Sequence, residues 1–387
     1  MPQRHLPEKH GALGPSLMPW PPRLRRSFPW VVAGIGVGTG AVPVLIATGL
    51  RGIGAIARTK GPAAAALTIG GAASAITGAT IAAGVVRRSK VRQLQDSARR
   101  IDEGFAAPPT SRAVTTGPGS ALTSPAIGRE GARYVGSAST PSDIEFVTGR
   151  EPDVEPIRVF VGLDAAESID ARIELALTEL RRTGAFARST LVVQAPAGTG
   201  YANSTPVDVV EILTSGNCAS VAVGYGLLPS FLSLNRVSMA TSTQSALLEA
   251  IADECRTMSR PPRVLLYGES LGAKVQQGAL PAGIEDLDRL QISRALWVGT
   301  PGGKDYDDVH RLFDPVGITI DRPEQLPLQP EEDVRVYFLE HDGDPVVRFR
   351  ADLAHRRPAW LPTNGGRGRG VPPDMRWRPG ITWAQVL

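Results

Sequence analysis

Short apolar runs alternate with amphipathic segments along the C-terminal half of the chain, and this alternation restricts the possible folds more than any other feature. The runs are almost continuously apolar, as expected of parallel strands that are covered on both faces. They are IRVFVG (157–162), TLVVQ (190–194), ASVAVG (219–224), RVLLY (263–267), RALWVG (294–299) and VRVYFLE (334–340). Helical spacing of apolar residues over 167–183 and 243–258 completes a βαβ series. The pattern predicts an α/β fold with a doubly wound, mostly parallel sheet.

Composition excludes several classes of function. The chain has 387 residues, of which 42% are hydrophobic and 21% charged, so it can build a core. Its formal net charge of +4 is small for this length, which argues against a nucleic-acid partner. The two cysteines, Cys218 and Cys255, are too few for a disulfide framework or a thiolate zinc site. The loop GTPGGK (299–304) lacks the Ser or Thr of a phosphate-binding loop. We therefore expect neither a metal nor a cofactor.

Two stretches near the N-terminus contain no charged residue, and each is long enough to cross a bilayer. They cover 30–50 and 62–86, and a helix needs about 20 apolar residues to cross a hydrocarbon core of roughly 30 Å. They predict a transmembrane helical hairpin. Glycines recur at every second position from Gly34 to Gly40, and such small residues would let helices associate closely within the membrane.

Charge and composition around these stretches give the expected domain organisation. Arginines and lysines flank the outer ends of the hairpin, which favours a multi-pass membrane protein with both ends, and the C-terminal folded part, on the cytoplasmic side. The opposite orientation stays open, because the short loop between the two stretches also carries positive charge. The predicted order is a leader (1–29), a membrane domain with a basic juxtamembrane helix (30–103), a linker rich in Pro, Gly, Ser, Thr and Ala (104–155) and a folded domain (156–387).

The sequence GESLG (268–272) lies between a predicted strand and a predicted helix. This G-x-S-x-G pattern, in this context, is typical of a nucleophile elbow, in which a tight turn exposes a serine hydroxyl. Ser270 is therefore the predicted nucleophile. The N–H of Leu271, at the start of the helix, would donate to an oxyanion, and the N–H of Leu163 is the second predicted donor.

A nucleophilic serine needs a base and an acid that orients the base. Asp344 follows the last predicted strand and is the predicted acid, with Asp342 and Glu340 as alternatives. His355 is the predicted base because it follows the acid in the chain, and His341 is the alternative base. His5, His10 and His310 are less favoured, His310 because it lies in a polar insertion, 302–333, that resembles a solvated loop.

Several spaced motifs resemble a bacterial alpha/beta-hydrolase family whose members carry a membrane-embedded N-terminal domain. The resemblance covers roughly 156 to 387, through VFVGL (159–163), ELRRTGAF (179–186), PAGTGY (196–201), LLPSFLS (227–233), YGESLGA (267–273), ALWVGTPGG (295–303), DPVV (344–347), RRPAWL (356–361) and PDMRW (373–377). It implies a hydrolase fold and an N-terminal membrane domain, although family members usually have more spans than two. GDPV (343–346) is similar to the acid loop of cutinase-like serine esterases, which favours Asp344 with His355.

The sequence thus predicts a membrane-anchored serine hydrolase that cleaves ester or thioester bonds through an acyl-enzyme. Its location beside a lipid bilayer favours an acyl-ester or lipid substrate. Acyl transfer by the same serine is one alternative, since the acyl-enzyme would be the same. A non-catalytic interaction module that keeps the hydrolase fold is the other.

Overall fold

The computed structural model describes residues 88–227, 237–303, 306–326, 333–344, 346–348, 351–361, 368, 370–371 and 375–379. The chain divides into two compact units, 1–89 and 90–387. The predicted membrane spans, 30–50 and 62–86, lie outside the described residues. Within those that are described, every helix is too short or too polar to cross a bilayer.

A seven-stranded, fully parallel sheet forms the centre of the second unit. Its strands are β1 (Ile157–Val161), β2 (Thr190–Ala195), β3 (Cys218–Val223), β4 (Arg263–Glu269), β5 (Ile292–Val298), β6 (Gly317–Ile320) and β7 (Val336–Leu339). They lie in the order β1-β3-β2-β4-β5-β7-β6. β1, β2 and β3 are buried along their whole length, which explains why their sequences are apolar throughout.

Helices precede the sheet and connect its strands. They are α1 (88–99), α2 (Ser124–Gly136), α3 (Pro141–Thr148), α4 (Ile169–Thr183), α5 (Thr205–Leu213), α6 (Val237–Arg256), α7 (Leu271–Gly278), α8 (Ile284–Arg289) and α9 (Tyr306–Arg311). Short 3-10 helices cover Glu103–Phe105, Leu163–Ala165, Ala185–Ala187, Pro323–Gln325 and Ala351–Ala354. This is the doubly wound, parallel α/β architecture that the alternation of strands and helices predicts.

The six predicted strands are confirmed, and the structure adds β6, which no sequence pattern predicts. β6 and α9 both lie in the insertion 302–333, which was expected to be a solvated loop. β6 has only four residues and pairs with β7 at the edge of the sheet. A strand this short in a polar segment carries too few apolar residues to show a period.

The prediction that 104–155 is a linker is wrong. α2 packs on β1, with the ring of Tyr134 5.8 Å from that of Phe160. Upstream of α2, Val114 forms a parallel β-bridge with Arg158. A positive φ of 65° at Gly128 interrupts α2, so its apolar residues do not follow one helical period over a length that sequence analysis would recognise.

A buried ion cluster joins this N-terminal segment to the sheet. The Arg158 side chain is fully buried. It donates to the Glu211 carboxylate through Nε (2.6 Å) and Nη2 (2.8 Å), and to the carbonyl oxygen of Tyr134 through Nη1 (3.0 Å). Burial lowers the pKa of Arg158, but the carboxylates of Glu211 and Asp208 more than offset this and raise it above its ordinary value. Arg158 therefore stays charged and links α2, β1 and α5.

Candidate active site

Ser270 occupies the turn between β4 and α7 in a backbone conformation that few residues adopt. Its φ is 52° and its ψ is −123°, a conformation that costs a non-glycine residue free energy and is retained where surrounding structure enforces it. Part of that enforcement is a hydrogen bond from the Ser270 N–H to the Val298 carbonyl oxygen, at 2.8 Å. Ser270 thus lies at the carboxyl edge of the sheet, beside the end of β5.

The two glycines of the GESLG motif are required by close backbone contacts. A Cβ atom on Gly268 would lie 2.7 Å from Cα of Ala273, and one on Gly272 would lie 2.2 Å from the carbonyl oxygen of Ala195. The turn is therefore folded tightly on itself, and the first turn of α7 lies directly against the end of β2.

Buried side-chain hydrogen bonds hold α7 on the sheet behind Ser270. Gln276 is fully buried. It donates from Nε2 to the Val193 carbonyl oxygen of β2 at 2.9 Å, and accepts from the Trp297 indole N–H of β5 at 2.9 Å. Since β2 and β5 flank β4 on its two sides, these bonds fix the helix over the nucleophile strand.

The structure places one of the two predicted oxyanion donors beside Ser270. Leu271 is the first residue of α7, and its N–H belongs to the helix turn whose N–H groups have no partner within the helix. Leu163 follows β1, which β3 and β2 separate from β4. Three strand spacings amount to roughly 14 Å, so the expectation that the Leu163 N–H contributes is corrected by the strand order.

The loop after β2 is adjacent to Ser270 instead. Within this loop, the Ala197 N–H donates to the Tyr201 carbonyl oxygen (2.7 Å) and the Gly200 N–H donates to the Ala197 carbonyl oxygen (2.9 Å). The Tyr201 N–H donates to Oγ1 of Thr199 (3.3 Å). The loop PAGTGY (196–201) therefore forms a closed turn at the strand end next to β4. The sequence alone does not favour this loop over the one at Leu163 as the source of the second oxyanion donor, because the sequence does not reveal the order of the strands in the sheet.

Asp344 approaches the same edge of the sheet from the other side. Its Oδ1 accepts from the Val346 N–H at 2.7 Å. Its Oδ2 would be 3.4 Å from a Cβ atom on Gly299, the residue after β5. Ser270 and Asp344 thus both lie beside the end of β5, Ser270 at Val298 and Asp344 at Gly299.

The two alternative acids are bound to other side chains. Asp342 accepts from Nε of Arg348 at 2.7 Å. Glu340, which is almost fully buried, accepts from the Tyr306 hydroxyl and lies 3.3 Å from Nε2 of His310. These contacts favour Asp344 as the acid. They also move His310 out of the solvated loop where the sequence analysis placed it, into a cluster beside β7.

Both predicted bases are exposed. His355 lies in the turn after the 3-10 helix Ala351–Ala354, and its backbone N–H donates to the Asp352 carbonyl oxygen at 3.0 Å. His341 lies against Gly370, where a Cβ atom would come 2.5 Å from Nδ1 of the histidine. Among the described residues, no side-chain hydrogen bond joins Ser270, Asp344 and either histidine. Ser270 and Asp344, the predicted nucleophile and acid, thus lie at the same edge of the sheet, and both predicted bases lie in the chain after β7.

Two cavities open at this edge of the sheet. One, of about 70 Å³, is lined by Ser270 and by Gln194, Ala195, Ala197, Tyr201, Asn203, Tyr267 and Glu269. The other, of about 430 Å³, lies beside the segment after Asp344, and Tyr306, Asp307, Arg348, Asp352, Arg356, Arg357 and Trp360 are among its lining residues. Because the larger cavity carries both cations and carboxylates, its charge selects no single class of ligand.

Comparison with known proteins identifies the family of this fold. The sequence profile of the alpha/beta-hydrolase family matches residues 157–312 and 318–387, more than half of the chain. The chain belongs to the alpha/beta-hydrolase family. A search of curated proteins finds no match.

Among solved structures, this alpha/beta-hydrolase is similar to two of acetylxylan esterase. One was solved at 0.90 Å resolution, and the other is an iodinated complex at 1.80 Å. They are 15% and 14% identical in sequence; each alignment covers 41% of this chain and 85% of the esterase, with a TM-score of 0.26.

Chain order distinguishes the two histidines in an alpha/beta-hydrolase. The triad of this fold follows the order Ser, Asp or Glu, His. Ser270, Asp344 and His355 follow that order, whereas His341 precedes Asp344.

Within the described residues, no cluster of three or more His, Cys, Asp or Glu side chains could hold a metal ion.

Proposed function

We propose that this alpha/beta-hydrolase is a serine hydrolase that cleaves carboxylic esters or thioesters through an acyl-enzyme on Ser270. The observation that carries the proposal is the positive φ of Ser270, 52°, at the turn between β4 and α7. Residues held in such strained conformations cluster at active sites, and this one places a hydroxyl at the carboxyl edge of the sheet, where open α/β sheets bind their ligands.

The reaction would proceed in two steps. Oγ of Ser270 attacks the carbonyl carbon while a histidine accepts the hydroxyl proton. The bond from the carbonyl carbon to the leaving oxygen or sulfur then breaks, and the histidine returns the proton to the leaving group. Water, activated by the same histidine, attacks the acyl-enzyme, releases the acid and restores the serine. Asp344 would orient the histidine through its Oδ2, since Oδ1 is bound by the Val346 N–H.

The oxyanion of each tetrahedral intermediate would be held by backbone N–H groups. The first is that of Leu271, at the start of α7, where the helix dipole also favours negative charge. For the second we propose the N–H of Gly198 or Thr199, because Pro196 has no N–H and the hydrogen bonds of the loop engage those of Ala197, Gly200 and Tyr201.

His355 is the proposed base, with His341 as the alternative. Both follow β7, and the chain order favours His355. The short segment between Asp344 and His355 includes a 3-10 helix at Ala351–Ala354, and a small rearrangement of an exposed turn on substrate binding would bring the imidazole toward the acid. Catalytic hydrogen bonds often form fully only in the substrate complex.

Membrane anchoring is part of the proposal and rests on the sequence alone. The uncharged stretches 30–50 and 62–86 would hold the hydrolase unit beside a bilayer, with both ends of the hairpin on the cytoplasmic side. Carbonate extraction of cell membranes tests it: an anchored chain stays in the pellet at high pH, and release into the supernatant would exclude the anchor.

Labelling with a fluorophosphonate tests the chemistry directly, because the probe phosphonylates only activated serines. We expect the purified full chain to be labelled and Ser270→Ala to be unlabelled. His355→Ala should lose labelling by a factor of about 10³ or more, as expected for removal of a triad base. His341→Ala should keep it.

The outcomes separate the alternatives. Labelling lost in His341→Ala instead of His355→Ala would reverse the assignment of the base. A folded parent protein that is not labelled would exclude serine-hydrolase activity and favour a non-catalytic interaction module with the same fold. If labelling occurs but ester turnover accelerates only when an alcohol acceptor is added, acyl transfer replaces hydrolysis as the function.

A further inference from the structure

The small cavity beside Ser270 presents an apolar surface, although several polar residues line it. The polar side chains bind one another around the cavity. Nε2 of Gln194 donates to the Asn203 carbonyl oxygen at 2.8 Å, and Nδ2 of Asn203 donates to Oε2 of Glu269 at 2.8 Å. The Tyr267 hydroxyl donates to the same Oε2 at 3.2 Å. Because these polar atoms engage one another, the surface left to a ligand is almost entirely apolar.

The cavity is also small. Its volume is about 70 Å³, close to half of the roughly 150 Å³ that hold a benzene ring in an apolar cavity, so about three carbon atoms fit. Ala195 and Ala197 form part of the wall, and the rings of Tyr201 and Tyr267 form its aromatic part. Burial, with the charge of Glu269 as a second cause, raises the pKa of both phenols. Both therefore stay neutral at ordinary pH.

Backbone contacts hold these walls in place. The Ala195 carbonyl oxygen lies against Gly272, where a Cβ atom would come within 2.2 Å of it. The hydroxyl of the buried Tyr225 donates to the Pro196 carbonyl oxygen at 2.8 Å. The cavity should therefore keep its size when a ligand enters. Tyr201, which is 36% exposed, is the part of the wall that a substitution can remove at least cost to the fold.

The position of the cavity relative to the acid indicates which part of a substrate would enter it. Its lining residues belong to β2, to the loop after β2 and to the end of β4. Asp344 lies beside the end of β5, on the other side of β4. Because the histidine returns its proton to the leaving group, the leaving group has to lie on the side of the acid and the base. The acyl chain then extends from the carbonyl carbon to the opposite side, toward β2.

We propose that this cavity is the acyl subsite and that it selects short, uncharged alkanoyl groups, with Tyr201 as the residue that limits their length. About three carbons beyond the carbonyl fill it, which corresponds to a butanoyl group. This inference deepens the proposed function and rests on it. It also replaces the expectation of a lipid acyl chain with that of a short one.

Phenyl esters of increasing acyl length test the proposal. They are the acetate, propanoate, butanoate, hexanoate and octanoate. The measured quantity is kcat/KM with the full chain, divided by the rate of the same ester in hydroxide alone, which removes intrinsic differences in reactivity. We expect this ratio to fall about tenfold or more between the butanoate and the hexanoate, because two further methylene groups would overfill a cavity with fixed walls.

Two substitutions in the wall should move this limit in opposite directions. Tyr201→Ala removes the aromatic wall, so kcat/KM for the hexanoate should rise about tenfold relative to the propanoate. Ala197→Val adds two methyl groups to the wall, so the butanoate should lose about tenfold relative to the acetate. Phe146→Ala is the matched control, because it removes an aromatic ring that is 62% exposed on α3, and it should leave all ratios unchanged. Partitioning of the longer esters into detergent cancels in these comparisons, since every protein meets the same esters.

Failure of this inference is distinguishable from failure of the proposed function. A hexanoate or octanoate that reacts as fast as the butanoate, with fluorophosphonate labelling of Ser270 intact, would overturn the short-chain subsite and leave the serine hydrolase standing. A preference for short chains that is the same in the parent, Tyr201→Ala and Ala197→Val would mean that the acyl chain binds outside this cavity. An unlabelled, inactive parent removes both the subsite and the proposed function.

Discussion

A Cβ atom on Gly272 would lie 2.2 Å from the carbonyl oxygen of Ala195. This contact is between the first turn of α7 and the end of β2, and it sets how closely the N–H of Leu271 approaches the loop that lines the cavity beside Ser270. The nucleophile, the helix N-terminus and the neighbouring strand end are thus held together by backbone contacts that a larger residue would separate.

Gly272→Ala should therefore abolish fluorophosphonate labelling and lower stability by about 1–3 kcal/mol, the usual cost of overpacking. The matched control is Gly278→Ala in the same helix, where a Cβ atom would first meet the side chain of Thr241, at 3.0 Å. Both changes add the same methyl group to α7, but a side chain can turn away and a strand backbone cannot. Denaturation midpoints and labelling rates check this; equal effects of the two changes would contradict it.

Removing the segment before β1 should destabilise the hydrolase unit. Glu179 of α4 is fully buried and accepts from the Ser120 hydroxyl and the Ala121 N–H, both at 3.0 Å. A fragment that begins at residue 150 loses both donors and exposes the face of β1 that α2 covers. We expect 150–387 to aggregate or melt well below 90–387, as followed by circular dichroism. Equal melting temperatures would show that the segment is dispensable, as a linker would be.

The sequence predicts structural elements that neighbouring residues determine. It does not predict packing between residues that are far apart along the chain. The turn at Ser270 is readable because a strand, two glycines and a helix follow one another within a few residues. The fold of 104–155 cannot be predicted in this way, because its stabilising contacts join residues that are far apart along the chain. Ser120, for example, donates to Glu179, which lies 59 residues further on. The sequence favoured Leu163 as the second oxyanion donor for a related reason: both β1 and β2 end in glycine-containing loops, and only the observed strand order shows that β2 is the neighbour of β4.

The candidate acid could be chosen from the sequence, but the contacts around it could not. Asp344 follows the last strand within the sequence Gly-Asp-Pro (343–345), and this local pattern is visible in the sequence. That Asp342 binds Arg348, and that Glu340 binds Tyr306 beside His310, follows from tertiary packing. Among the described residues, Asp342 and Glu340 accept hydrogen bonds from other side chains, whereas Asp344 accepts from the backbone N–H of Val346, and this difference favours Asp344 as the acid.

Arg158→Leu should destabilise the protein strongly. The variant leaves Glu211 buried and charged, with its main partner removed. Breaking a buried pair in this way costs about 3–5 kcal/mol. Arg181→Leu is the control, since Arg181 pairs with Glu174 and Glu254 at the surface and exposed pairs contribute about 1 kcal/mol or less. Urea denaturation compares the two, and losses of similar size would show that the Arg158 cluster is not effectively buried.

The two cysteines should make stability fall at high pH. Burial raises the pKa of Cys218 and of Cys255 from 9.0 to about 11. Both thiols are buried, so the folded state keeps its protons between pH 9 and 11 while the unfolded state loses them. The stability that this difference supplies is complete below pH 9 and is lost as the pH rises to about 11. At pH 10 the loss should be about 1 kcal/mol for each thiol.

The double variant Cys218→Ala, Cys255→Ala isolates this effect, because alanine cannot titrate. It should be less stable than the parent at pH 8, where the parent keeps the packing of both thiols. Its disadvantage should shrink by about 2 kcal/mol on going to pH 10, since only the parent loses stability through thiol ionisation. Urea denaturation of both proteins at the two pH values measures the difference. In parallel, iodoacetamide at pH 9 should modify the parent only after urea is added, because the thiolate is the reactive form; rapid alkylation of the folded protein would mean that at least one thiol is accessible and ionises normally.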